Sequence, residues 1–184
     1  MKNIVLIRFS SRDNGNCAAI TAQIQQYYKE EMVRSFIADH LVVKPCGNCD
    51  YECLQPQRQC PNITVVCTEL FYAVCNADLV YYVVPNYCGY PCANYFAFNE
   101  QSVGFFNLDR CLMEKYMSVP KRFIIVSNSE GEIFEKAMQQ QTNDNPEILY
   151  LKSNEYGKRS IVGDILESDA AKADLTAFLA QHSF

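Results

Sequence analysis

The chain contains no tryptophan, only two histidines and no long apolar stretch at its N-terminus. The first apolar run, Ile4 to Ile7, stops after four residues at Arg8. That is too short for a signal-peptide core and far too short to cross a bilayer, so a cytoplasmic protein without a membrane is expected. No basic cluster exceeds Lys158-Arg159 and the net charge is −5, which excludes the electrostatic footprint of a nucleic-acid binder. G-x-G-x-x-G and a Walker lysine are both absent, which disfavours a dinucleotide held in the Rossmann manner and a nucleoside triphosphate. No carboxylates stand at paired spacing, and His40 and His182 read as surface or capping residues. The sequence therefore assigns no catalytic side chain, and any chemistry here is expected to belong to a cofactor.

What the chain does contain is cysteine, ten of them in 184 residues, with 49% hydrophobic and 20% charged residues and no low-complexity tract. This composition fits one ordered domain, residues 1–184, large enough to bury a core without staples. Four of the cysteines, Cys46, Cys49, Cys53 and Cys60, crowd a Cys-rich insertion loop at 45–62. In a reducing compartment such residues are thiols or metal ligands more often than disulfides. Four thiolates on one loop suffice for a 4Fe-4S cluster or for tetrahedral zinc, and unligated thiols are the third reading.

Short apolar runs recur along the chain: Ile4–Ile7, "RSFIA" (Arg34 to Ala38), "DLVYYVVP" (Asp78 to Pro85), "KRFIIVS" (Lys121 to Ser127) and "EILYL" (Glu147 to Leu151). Helical stripes alternate with them. Ile20, Ile24, Tyr27 and Tyr28 share one face, as do Val66, Cys67, Leu70 and Val74. Further helices are read over Tyr95 to Phe106, from Ser129 with Glu132 at capping-box spacing, and from Ser168 through Leu175, Phe178 and Leu179. Five strands alternating with five helices predict a parallel sheet, order 2-1-3-4-5, with helices on both faces.

In such a sheet, ligands sit at the carboxyl ends of the strands. Three loops leave those ends: "SSRDNGNC", "PNYCGYPC" and "SNSEG". The first opens directly onto a helix N-terminus, where free N–H groups favour a single phosphate, although an ordinary Asx-rich turn fits equally well. The second is stiff and aromatic and offers its faces to a planar ligand, or else packs its tyrosines into the core. The dipole also predicts an acidic thiol at Cys17.

Three segments in order carry a resemblance. Phe9-Ser10-Ser11-Arg12-Asp13-Asn14-Gly15-Asn16-Cys17 resembles a G-S-P-R-x-N-G-N-T loop, with Phe9 in place of glycine and Cys17 in place of threonine. Val43-Lys44-Pro45-Cys46-Gly47-Asn48-Cys49 resembles i-K-P-C-x-x-C, and Ala77-Asp78 through Pro85-Asn86-Tyr87-Cys88-Gly89 resembles A-D-g-i-v-f-g-s-P-v-Y-f-g. Together they resemble the flavodoxin-like NADPH-dependent FMN reductase family, and more narrowly its iron-sulfur flavoprotein relatives. The resemblance implies a flavodoxin-like three-layer sandwich and an FMN-dependent oxidoreductase using NAD(P)H or a redox protein, assembled as a homodimer or higher homo-oligomer. It implies the FMN phosphate on Ser10, Arg12, Asn14, Gly15, Asn16 and Cys17. The flavin ring is implied against Pro85, Asn86, Tyr87, Cys88 and Gly89, and against Ser127, Asn128, Ser129 and Gly131. For the iron-sulfur branch it implies a cluster on Cys46, Cys49, Cys53 and Cys60, here spaced C-x2-C-x3-C-x6-C with one residue more than the usual pattern. An electron carrier without a substrate site, and a flavin-free flavodoxin-fold metal-binding or interaction module, are the competing functions.

Overall fold

A computed structural model describes residues 1–41, 46–47, 49–55, 58–107, 109–128 and 132–181. Its elements, in chain order, are β1 (Asn3–Arg8), α1 (Asn16–Tyr27), β2 (Met32–Ile37), α2 (Val65–Cys75), β3 (Leu79–Tyr87), β4 (Tyr90–Pro91), α3 (Ala93–Phe106), α4 (Arg110–Ser118), β5 (Lys121–Ser127), α5 (Glu132–Gln139), β6 (Glu147–Lys152) and α6 (Asp169–Ala180), with short 3-10 turns between some of them. Strands run in the order β2-β1-β3-β5-β6, every neighbouring pair parallel. This is the flavodoxin-like order expected, since β4 only pairs with the end of β3 as an antiparallel hairpin.

The alternation of side chains along each strand builds the three layers. Ile4, Leu6, Tyr81, Val83 and Ile124 face α1 and α6, packing on Ile20, Ile24, Leu175 and Phe178. Val5, Ile7, Phe9, Val80, Tyr82 and Phe123 face the opposite layer, where Leu70, Phe71, Tyr95 and Phe98 meet them. Each of these side chains is worth about 1.5–3 kcal/mol when fully buried. Caps set several helix starts: Thr64 accepts from the Cys67 N–H at 3.1 Å, and Ser168 accepts from Ala171. The Ser129–Glu132 cap and His182 lie outside the residues whose side chains are described.

Two elements differ from the sequence reading. α4 follows α3 after Asp109, whose carboxylate accepts the Cys111 N–H at 2.9 Å. Leu112, Tyr116 and Met117 pack on the core, but the helix is nine residues long and follows α3 after a short break, so the sequence does not set it apart. The third parallel strand runs past Pro85 to Tyr87, because Asn86 and Tyr87 pair with Pro91 and Tyr90 across a two-residue turn. Cys88 and Gly89 hold φ values of 56° and 86°, the pair of positive angles that defines a type I′ hairpin turn.

Candidate functional site

The winding direction reverses between β1 and β3, and the loops leaving their carboxyl ends meet there. The ladder between these strands ends for a definite chemical reason. Phe9 N–H donates to Val83 O at 3.0 Å, but Pro85 has no N–H to return the next rung. The Phe9 carbonyl instead accepts the Cys92 thiol at 3.4 Å. Cys92 is also the N-cap of α3, so its side chain ties the end of β1 to the head of that helix below the crevice.

Residues 10–17 pass from β1 into α1. Gly15 caps the helix in extended geometry without a side-chain bond, and its carbonyl accepts from Ala18 and Ala19. The N–H groups of Asn16 and Cys17 open the helix and have no backbone partner among the described residues, the Cys17 N–H facing only its own thiol, which leaves two donors for an anion. Ser10 is buried, and its hydroxyl accepts from Arg12 N–H at 3.4 Å. Beneath the loop, Arg8 is 6% exposed; its Nη2 donates to Asp13 Oδ1 at 2.7 Å, while its Nε is buried without a hydrogen-bond partner among the described residues. These donors fit a phosphate in number and charge.

Phe9, the residue in place of glycine, points away from this loop. It stacks on Tyr82 at 5.8 Å and meets Tyr95 and Phe98 edge-on, at 5.4 and 5.7 Å. Its bulk fills the opposite core layer.

A segment absent from the sequence reading straps the loop from above. Arg12 Nη2 donates to Ile161 O at 2.9 Å, Asn16 Nδ2 to Ser160 O at 3.1 Å, and Ile165 N–H to Asn16 Oδ1 at 3.0 Å. Asn128 Nδ2 reaches Ser160 Oγ at 3.4 Å, so the strap also touches the third loop. Lys158 fixes it at its base through Asp164 and Glu167, at 3.4 and 2.9 Å. The Asn16 carboxamide is thus bonded on both atoms within the chain. The only sequence signal for the strap is a polar stretch bracketed by Gly157 and Gly163, and its contacts span nearly the whole chain.

The hairpin residues lie beside this loop. Pro85 is buried; Asn86 donates to Ser127 Oγ and accepts the Gly89 N–H at 2.8 Å, which pins the turn to the end of β5. Tyr87 is exposed, yet burial first, then the Cys92 and Cys17 thiols, push its phenol up, while Arg12 lowers it, so all four groups share one neighbourhood. Ser129 and Gly131 lie outside the described residues.

The expectation of an acidic Cys17 is reversed. Burial pushes the thiol up to about 12, with Cys92 adding to the rise and Arg8, the Cys17 backbone N–H and Ser10 opposing it. Desolvation outweighs the helix terminus here. Cys92, at the head of α3, is raised by burial too.

The Cys-rich segment lies along α3, whose first turn borders the crevice. Cys46 N–H donates to Glu100 Oε2 at 2.6 Å, and Asn107 donates to the Cys53 carbonyl. A Cβ on Gly104 would sit 2.4 Å from Cys60 Cβ and 3.9 Å from Cys53 Cβ, so both cysteines dock on that bare turn. Burial, and after it Cys60, Cys46 and Cys49, push the Cys53 thiol up, so the four are neighbours. They are not gathered into a ligand set: among the described residues no three Cys, His, Asp or Glu side chains are placed to hold one metal ion. In this arrangement the segment does not fit a cluster or zinc. Lys44 and Pro45 lie outside the described residues.

Open grooves of about 580 and 560 Å³ flank the edge strand β6, one beside Glu135 and Tyr150, the other beside Asp174 and Phe178. Neither is lined by a residue of the three loops.

No protein-family model and no curated protein matches the chain. Solved structures do. The Trp repressor binding protein of Bacillus subtilis is 14% identical with a TM-score of 0.64, covering 98% of this chain and 99% of its own. An azoreductase from Bacillus anthracis is 13% identical, TM-score 0.58, covering 98% and 96%. A flavoenzyme NAD(P)H:(acceptor) oxidoreductase from Paracoccus denitrificans is 12% identical, TM-score 0.56, covering 98% and 96%. At these identities the likeness establishes the fold, and the chain is similar over its described length to a flavodoxin-like sandwich.

Proposed function

We propose that the protein is an FMN-dependent oxidoreductase that uses NAD(P)H or a protein electron donor. The observation that carries this reading is the N–H pair of Asn16 and Cys17, without a backbone partner among the described residues, at the start of α1 and at the reversal of the sheet. Ser10, Arg12, Asn14, Gly15, Asn16 and Cys17 hold the phosphate: the backbone donates to it, and Asn16 keeps the loop in shape from the side. Pro85, Asn86, Tyr87, Cys88 and Gly89 form one wall for the flavin ring, and Ser127 and Asn128 the other. When bound, FMN supplies two-electron chemistry, taking a hydride equivalent from a reduced nicotinamide and passing it on. The side chains bind and orient; none is assigned a proton transfer.

Two of the fold neighbours, an azoreductase and a flavoenzyme NAD(P)H:(acceptor) oxidoreductase, support this class of chemistry. Assembly as a homo-oligomer belongs to the same reading and is measured by light scattering. Cys53 and Cys60 are assigned as thiols docked on α3, and Cys46 and Cys49 as unligated thiols beside them. A 4Fe-4S cluster or zinc there requires the segment to rearrange.

Anaerobic mixing of the FMN-loaded protein with NADPH or NADH tests the reading. Bleaching of the oxidised flavin faster than with free FMN is expected. FMN that binds but is not reduced by either nucleotide favours the electron carrier, and failure to bind FMN favours the flavin-free module.

A further inference from the structure

We infer that Arg8 is the specificity-determining cation for the phosphate group, held in reserve by Asp13; the inference rests on the reading of residues 10–17 as a phosphate site. Arg8 is the last residue of β1 and shares its sheet face with Ile4 and Leu6, otherwise an apolar row. A guanidinium there costs desolvation that a hydrophobic residue would avoid. Its ion pair returns little, because its partner is 84% exposed on the loop tip and is well solvated without it. Nor is the group satisfied, since Nε is buried with no partner among the described residues. Arg8 pairs with Asp13 inside the loop and lies close enough to Cys17, the second residue of α1, to oppose the rise of its thiol, which puts the guanidinium near the start of that helix.

Two independent features therefore converge on one spot: a twelve-residue helix with open donors, and a buried arginine with an open donor. A phosphate monoester dianion satisfies both sets at once. Asp13 is the carboxylate that occupies Arg8 in the absence of that dianion, and it is free to turn outward when the phosphate arrives. The guanidinium contributes only to ligands that carry the phosphate, so it separates FMN from riboflavin and leaves contacts to the ring unaltered.

The test compares FMN and riboflavin binding in the wild type, Arg8→Met and Asp13→Asn, by flavin fluorescence titration. Arg8→Met keeps the stem in the apolar row and strands no buried anion, and thermal unfolding checks that it folds. Removal of a charge-assisted contact predicts FMN binding weakened about 10- to 100-fold in Arg8→Met, with riboflavin unchanged. Asp13→Asn removes the competitor and is expected to bind FMN as tightly as the wild type or more so. If the ion pair only shaped the loop, both variants would lose FMN, and that result overturns the inference. FMN affinity unchanged in a folded Arg8→Met also overturns it while leaving the FMN reading intact. A wild type that binds neither flavin removes both.

Discussion

Gly163 lies so close to Asn14 that a Cβ on it would sit 2.3 Å from the Asn14 carbonyl oxygen. Its φ of +93° is itself strained for any residue with a side chain, so the strap meets the loop at 10–17 at a point where only glycine fits. Gly163→Ala is therefore expected to destabilise the protein by about 2–4 kcal/mol, combining backbone strain with a displaced loop. Urea denaturation beside FMN titration reads both effects. A wild-type midpoint and wild-type affinity would mean that the strap and loop are independent.

Asn16→Asp keeps the acceptor for Ile165 N–H but loses the donor to Ser160 O, and it buries a charge at a residue 3% exposed. Loss of about 2–4 kcal/mol is expected near neutral pH, and with it weaker FMN binding, since a carboxylate oxygen set against the Ser160 carbonyl displaces the strap that holds the loop in shape. A variant of wild-type stability that retains flavin would contradict the assignment of this loop.

Cys17 is expected among the last cysteines to alkylate, after the exposed Cys46, Cys88 and Cys111. Its folded pKa, raised from 9.0 to about 12, also links to stability. The unfolded chain loses this proton from about pH 9 while the folded one keeps it, so this group's contribution, complete below pH 9, is lost as pH rises toward 12. Timed iodoacetamide labelling read by mass spectrometry checks the order.

Lys121 runs the other way. Burial lowers its pKa from 10.5 to about 7, while its amine donates to the carbonyls of Tyr116 and Val119. Between those values the unfolded chain binds a proton that the folded chain lacks, so this contribution is lost as pH falls from 10.5 toward 7. Between pH 7 and 9, below the Cys17 window, stability should rise with pH in the wild type and flatten in Lys121→Met. An equal slope in both would place the dependence elsewhere.

Iron, sulfide and zinc content of anaerobically purified protein tests the Cys-rich segment. Neither stoichiometric metal nor a difference from Cys53→Ala is expected while Cys53 and Cys60 stay docked on Gly104. Stoichiometric metal in the wild type that Cys53→Ala loses would show that the segment rearranges into a ligand set.

The strand order and the two helical layers were legible because burial on both faces writes itself into continuous apolar runs such as Ile4–Ile7 and Phe123–Val126. The loop at 10–17 was legible for its polar residues and its place before a helix. Its partners were not. Arg8 reads as the polar end of a strand until its burial is known, and the bond between Asn16 and Ile165 joins residues 149 apart. Cys17 shows the limit most plainly, since a helix terminus is visible in sequence but the degree of desolvation that overrides it is set by packing.

The most direct measurement of the central claim is the backbone amide resonances of Asn16 and Cys17 as FMN is added to isotopically labelled protein. Both amide protons are expected to move downfield with FMN, as charge-assisted bonds to phosphate require, and to stay in place with riboflavin. Amides that do not move at saturating FMN, or that respond equally to riboflavin, would contradict a phosphate held at the start of α1.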